Sequence, residues 1–213
     1  MPILNDMKFT NLGYRGFKKF LDIKILIFPL LCYIIYMFIH KIRTKTEDFK
    51  MRTVKLQKLT KEAFAPFGEY YTMSKPEGYA LSGELHRFFP DRLTVNPGTK
   101  NMAFSPIMVK KPEKMLVTQV EYHTTTAEII IPLNDDMILH VAPPSAGKPV
   151  PEYTKAFIVP KNTVIKMNTC VWHLAPLPKK ADELCAIIVL PEATYMNDCT
   201  VVDLAEEEQF VIE

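Results

Sequence analysis

No two of the four cysteines in this 213-residue chain stand at CxxC spacing, so the usual zinc and thioredoxin arrangements are excluded. Cys32, Cys170, Cys185 and Cys199 follow no short regular pattern, which points to a reducing compartment and to inert, buried thiols. There is no internal repeat and no low-complexity tract. Basic clusters are missing where a nucleic-acid site would need them: residues 51–213 hold 17 Lys/Arg against 20 Asp/Glu. The formal net charge of +2 comes from residues 1–50, where nine basic residues face four acidic ones. What remains is an ordinary globular composition, 48% apolar and 23% charged, which excludes a wholly disordered chain. The length fits one domain with an appendage.

The appendage is residues 1–50. Ile25–Ile39 is a run of fifteen residues without a charge, flanked by Lys18, Lys19 and Lys24 before and by His40, Lys41, Arg43 and Lys45 after. A bilayer-spanning helix needs about 20 apolar residues, about 17 at the least. With Leu21 and Ile23 counted and Lys24 snorkelling, a membrane-anchoring helix over about 21–40 just qualifies. No small-residue cleavage site follows, which argues against a signal peptide. The other expectation is a gene start extended upstream of Met51, where a natural opening of a soluble domain is found. The domain that follows is expected to be cytoplasmic, tethered to a membrane if residues 1–50 are translated.

From Met51 onward the pattern is mostly β. Apolar runs recur at 115–122, 127–133, 137–142, 156–159, 164–167 and 184–190, separated by Pro-, Asn- and Asp-rich turns. Many short strands with such turns predict an antiparallel sandwich or barrel. Asn134-Asp135 between two runs predicts a hairpin. Thr60 to Phe64 predicts a capped helical turn, and residues 204–208 a second short helix.

The densest polar set in a β context is Glu121, His123 and Glu128. Strand alternation puts Glu121 and His123 on one face. Such a pair suits a divalent metal, or an acid–base couple in which Glu121 orients His123, or simply a polar strand surface. A second set surrounds the only tryptophan: Lys166, Asn168, Trp172 and His173. A His beside an aromatic is as readily a satisfied core residue as a catalyst. Arg87 is placed to hold a carboxylate bidentately, or to make a surface salt bridge. His86 and His140 weigh less.

Two resemblances gather these residues. The spacing Glu121-x-His123-x4-Glu128-x6-Asp135 resembles the first cupin motif, with Glu121 in place of its first His and Asp135 in place of its closing Gly. It implies a cupin-type antiparallel β-barrel or jelly roll with a few short helices, preceded here by the N-terminal apolar helix. In addition, the stretches Leu59–Glu69, Glu121-x-His123 with Ile131-Pro132, Lys155–Ile158, Val171-Trp172-His173 and Pro176-Leu177 resemble the bacterial ureidoglycolate lyases in order. The resemblance covers nearly all of residues 52–213.

It implies a homodimeric enzyme that cleaves ureidoglycolate to glyoxylate and urea in allantoin and purine breakdown. On that footing His123, His173 and Glu121 are the expected catalytic groups. Arg87, Lys166, Asn168 and Trp172 are expected around the substrate, and Glu121, His123 and Glu128 around any divalent metal, with His173 a further ligand candidate. The sequence departs from the family at Asn168, where a His is common, and at Met108 after Ser105, where many members carry an Arg. Glu128 stands where a neutral residue is usual, which favours a metal in this member. The other readings of the same fold are a sugar isomerase or epimerase, and a metabolite-binding cupin without activity.

Overall fold

Thr60 opens the first helix by capping it, its Oγ1 accepting from the Ala63 amide at 3.2 Å, as the sequence predicts. The computed structural model describes residues 33–38, 51–96, 98 and 100–213. The helix expected over about 21–40 lies outside the described residues except at 33–38, which are helical. Among the described residues no helix is long and apolar enough to cross a membrane. Residues 51–213 form one compact unit.

This unit is mostly β with short helices. Its elements run β1 (Arg52–Val54), β2 (Leu56–Lys58), α1 (Lys61–Phe64), β3 (Gly68–Thr72), β4 (Leu81–Ser82), β5 (Arg87–Phe88), β6 (Met102–Lys110), β7 (Leu116–Val117), β8 (Gln119–Tyr122), β9 (Glu128–Pro132) and β10 (Met137–Val141). There follow β11 (Lys155–Val159), β12 (Thr163–Met167), β13 (Leu177–Pro178), β14 (Glu183–Pro191), α2 (Thr194–Asn197), β15 (Thr200–Asp203) and β16 (Phe210–Ile212). Short 3-10 turns occupy Pro151–Tyr153 and Glu206–Glu208, the latter where a short helix was expected.

A five-stranded antiparallel sheet, in the order β3-β12-β9-β14-β6, faces a four-stranded sheet, β13-β10-β11-β2. Between them lies the main core. Ile130, Ile165, Met167, Leu184, Ala186 and Ile188 come from the first sheet, and Met137, Leu139, Val141, Phe157 and Val159 from the second. The other face of the four-stranded sheet carries Ile138, Ala142 and Ala156 into a second core, shared with Val54, Val117, Phe210 and Ile212 of the sheet β1-β16-β7. Strand β10 is therefore buried on both faces, and every one of its five residues is buried. A strand covered on both sides loses the in–out alternation that sequence reading relies on.

Three expectations change. The hairpin at Asn134-Asp135 does not form, because β9 and β10 belong to different sheets. The segment is a corner that side chains clasp: Asn134 bonds Glu183 and Cys185, Asp135 accepts from the Lys180 and Ala181 amides, and Asp136 accepts from the Lys161 amide. The apolar run 115–122 is two strands in two sheets, β7 and β8. Strand β6 runs nine residues despite Pro106, which an edge strand tolerates. Gly68 sits at φ 152, and a Cβ there would overlap the Lys166 carbonyl oxygen across the β3–β12 pair.

Candidate active site

Glu121 and His173 exchange both backbone hydrogen bonds, Glu121 N–H to His173 O at 2.7 Å and His173 N–H to Glu121 O at 2.9 Å. Directly opposed residues of an antiparallel pair project to the same side. Two residues on, the Cys170 amide donates to His123 O at 2.6 Å, with Cys170 itself at φ 62 to make the turn. The Trp-His segment is thus stitched to the Glu-x-His strand. Glu128, the first residue of β9, shares its face with the core residue Ile130 and enters from the adjacent sheet.

The outcome is a buried cluster. Glu128 Oε2 lies 3.0 Å from His123 Nε2 and 2.8 Å from His173 Nε2. His173 Nε2 is also 3.8 Å from Glu121 Oε1. His123, His173 and Glu128 are only 2%, 2% and 6% exposed. The opposite ring nitrogens are occupied: His123 Nδ1 lies 2.6 Å from Asp198 O, and His173 Nδ1 lies 2.9 Å from Val171 O. A carbonyl oxygen can only accept, so both Nδ1 atoms carry hydrogen. Two Nε2 atoms and a carboxylate oxygen are then left converging on one point. Such a set is stable only around a shared proton or a cation.

The electrostatics agree. Burial, the largest single effect, would drive Glu128 up and both imidazoles down. The His173 charge and the hydrogen bonds from both rings outweigh it for Glu128, which falls to about 2. Glu128 in turn holds His123 and His173 above the ordinary histidine value. Cys199 donates its thiol to Glu121 Oε2 at 3.2 Å, and burial followed by that bond pushes the thiol up to about 12. Tyr195, 58% exposed, has its phenol raised to about 12 by partial burial and then by Glu128, Glu121 and Cys199.

The structure brings together Glu121, His123, Glu128 and His173. It pairs His123 with Glu128 rather than with Glu121, and Glu121 with His173 and Cys199. The three atoms that close to within 4.8 Å belong to His123, Glu128 and His173, so His173 replaces Glu121 in the tightest donor set.

The other candidates lie elsewhere. Trp172 alternates away from His173: it packs in the second core, 4.4 Å from the Tyr122 ring, and its Nε1 donates to Ser145 Oγ at 2.9 Å. Lys166 is on the opposite face of β12 from Met167 and pairs with Glu69 at 2.6 Å. Asn168 is exposed just past that strand. Arg87 is exposed on the β4–β5 hairpin, its guanidinium 5.0 Å over the Phe89 ring. His86 is exposed on the same hairpin. Met108 faces outward on β6 and is 55% exposed. His140 points into the second core, edge-on to Phe210 at 5.6 Å. Asp198 and Cys199 were not legible as site residues, since only the β8–β15 pairing brings them there.

A family model described as Ureidoglycolate lyase matches residues 51–213. The ureidoglycolate lyase of Pseudomonas aeruginosa (strain LESB58) is 28% identical over 167 residues, covering 76% of this chain and 97% of that protein. That of Stutzerimonas stutzeri (strain A1501) is 26% identical, covering 76% and 96%. Among solved structures, one of Bacillus subtilis oxalate decarboxylase aligns with a TM-score of 0.36 at 13% identity, covering 50% of this chain and 24% of that one.

Proposed function

The chain belongs to the ureidoglycolate lyase family, and from that premise we propose that it cleaves the carbon–nitrogen bond of ureidoglycolate at the cluster of Glu121, His123, Glu128 and His173. The observation that carries the reading is the convergence of two imidazoles and a carboxylate on one buried point, with a second carboxylate beside it. The packing of a five-stranded on a four-stranded sheet around a buried His/Glu set supports reading the fold as cupin-type.

Ureidoglycolate is a carbinolamine: one carbon bears both a hydroxyl and a urea nitrogen. Removing the hydroxyl proton lets the oxygen form the aldehyde carbonyl of glyoxylate as the C–N bond breaks. The departing nitrogen takes a proton and leaves as urea. Glu121 is the group placed to move that proton. Its side chain is 19% exposed against 7% or less for the other three. Its Oε2 is held by Cys199, which leaves Oε1 turned to the cluster. Glu121 accepts the hydroxyl proton and returns it to the nitrogen, so the cycle closes without net proton uptake.

The donor set fits a divalent metal, because both imidazoles spend their Nδ1 hydrogens on carbonyls and turn their Nε2 atoms toward Glu128 Oε2, where an ion would take the place of the hydrogens between them. Held by His123, Glu128 and His173, a divalent ion would supply Lewis acidity to the substrate's hydroxyl and carboxylate oxygens. Homodimerisation and a cytoplasmic catalytic domain belong to the same reading; sedimentation and cell fractionation check them. The direct test is the purified full chain incubated with ureidoglycolate and a divalent metal, with glyoxylate detected as its hydrazone. Turnover that is lost in Glu121→Gln supports the assignment. A folded, metal-replete sample that releases no glyoxylate refutes it.

A further inference from the structure

Both members of the Glu121-x-His123 pair are held from behind by two consecutive residues 75 or more positions later in the chain. Asp198 offers its backbone carbonyl to His123 Nδ1 at 2.6 Å. Cys199 offers its thiol hydrogen to Glu121 Oε2 at 3.2 Å. The β8–β15 register explains why two neighbours can do this. Thr200 stands opposite Tyr122 and Val201 opposite Glu121, so continuing the ladder puts Cys199 opposite His123 and Asp198 opposite Thr124. Cys199 then reaches Glu121 as a same-face diagonal neighbour.

The Asp198 carbonyl is itself fixed. Asp198 Oδ1 accepts from Thr124 N at 2.7 Å and Thr124 Oγ1 at 2.5 Å, and Oδ2 accepts from Thr125 N at 2.8 Å and Thr125 Oγ1 at 2.6 Å. Four charge-assisted bonds on one carboxylate clamp the peptide that faces His123. Upstream, Ala193 at φ 62 and the bond from Thr194 Oγ1 to Pro191 O at 2.6 Å set the direction in which α2 delivers the dipeptide. A clasp that merely closed the loop after β8 would need the Thr124 and Thr125 bonds alone. The contacts to His123 and Glu121 go further: they fix the tautomer of the one and the rotamer of the other.

We propose that Asp198-Cys199 is the positioning element of this site: the Asp198 carbonyl, set by its own side chain, holds His123 with hydrogen on Nδ1 and Nε2 toward Glu128, and the Cys199 thiol holds Glu121 so that Oε1 faces the substrate. The Glu121 part rests on the lyase reading; the His123 part stands without it.

The test uses the full chain with 15N-labelled histidine. Wild type shows a slowly exchanging Nδ1–H resonance for His123, assigned by its absence in His123→Gln. Asp198→Ala loses that resonance while the remaining histidine signals stay dispersed; Asp198→Asn, which keeps one acceptor oxygen, serves if the alanine variant does not fold. Retention of the wild-type resonance in the Asp198 variant overturns the His123 assignment, whether or not the protein has lyase activity. For Glu121, Cys199→Ala lowers kcat by about ten- to a hundredfold with KM unchanged, and Cys199→Ser, which restores a donor, recovers most of it. Wild-type kcat in Cys199→Ala, or no recovery in Cys199→Ser, overturns that half. Absence of turnover in wild type refutes the lyase reading and leaves the histidine spectrum to decide the first half.

Discussion

His140 gives the sharpest quantitative test of the fold. It is 4% exposed, packs edge-on to Phe210 at 5.6 Å in the second core, and has no ion-pair or hydrogen-bond partner among the described residues. Burial, and after it the charge of His173, depresses its pKa from 6.5 to about 3. The folded protein therefore keeps this ring neutral where the unfolded chain protonates it. Stability from this group is intact above about pH 6.5 and is lost progressively as pH falls toward about 3. At about pH 5 the unfolded chain is favoured by roughly 1.5 pH units at 1.36 kcal/mol each, about 2 kcal/mol. His140→Leu, similar in volume and without a titrating group, removes that term. The assay is urea unfolding of both proteins at about pH 7.5 and about pH 5. Wild type should lose about 2 kcal/mol more than His140→Leu between the two conditions, since the other titrating groups are common to both. Parallel losses would refute the burial argument.

Three further outcomes follow from particular contacts. Glu128→Gln removes the charge between the two imidazoles, so titration calorimetry should show divalent-metal affinity at least about tenfold weaker; an unchanged isotherm would dissolve the His123–Glu128–His173 donor set. Gly68→Ala must place a Cβ against the Lys166 carbonyl at an unfavourable φ, and should cost about 2 kcal/mol or more in a urea titration; a neutral result would mean the β3–β12 pair can separate freely. Lys166→Ala breaks an outward-facing pair with Glu69, so it should cost less than about 1 kcal/mol and leave kcat/KM unchanged. A large fall in kcat/KM would bring Lys166 back to the substrate.

Alternation made much of the site legible. Glu121 and His123 share a face, as period two requires, and the cupin-like spacing brought in Glu128. His173 was expected through the family resemblance, but its exchange of backbone bonds with Glu121 was not, because a local pattern cannot foretell it. The same period explains why other candidates stand apart from the cluster. Trp172 is adjacent to His173 and so faces away from it, and Lys166 has the parity opposite to its core-facing neighbours Ile165 and Met167. The Asn134-Asp135 turn has hairpin chemistry, yet it serves a corner between sheets, and turn residues do not encode which sheet comes next. Asp198 and Cys199 reach the site through pairing 75 or more positions away, a distance at which a single sequence carries no local signal.

That separation has a kinetic consequence. His173 meets Glu128 across 45 positions and His123 meets Asp198 across 75, so no hairpin, helix or early fragment of the chain holds the cluster. Contacts this distant in sequence form slowly, after their loop-closure cost has been met. During refolding, the His123 ring signal and turnover should both return after far-UV ellipticity does. The cluster thereby acts as a timer within the molecule, reading out the moment at which β8, β9, the Trp-His segment and β15 have all found one another.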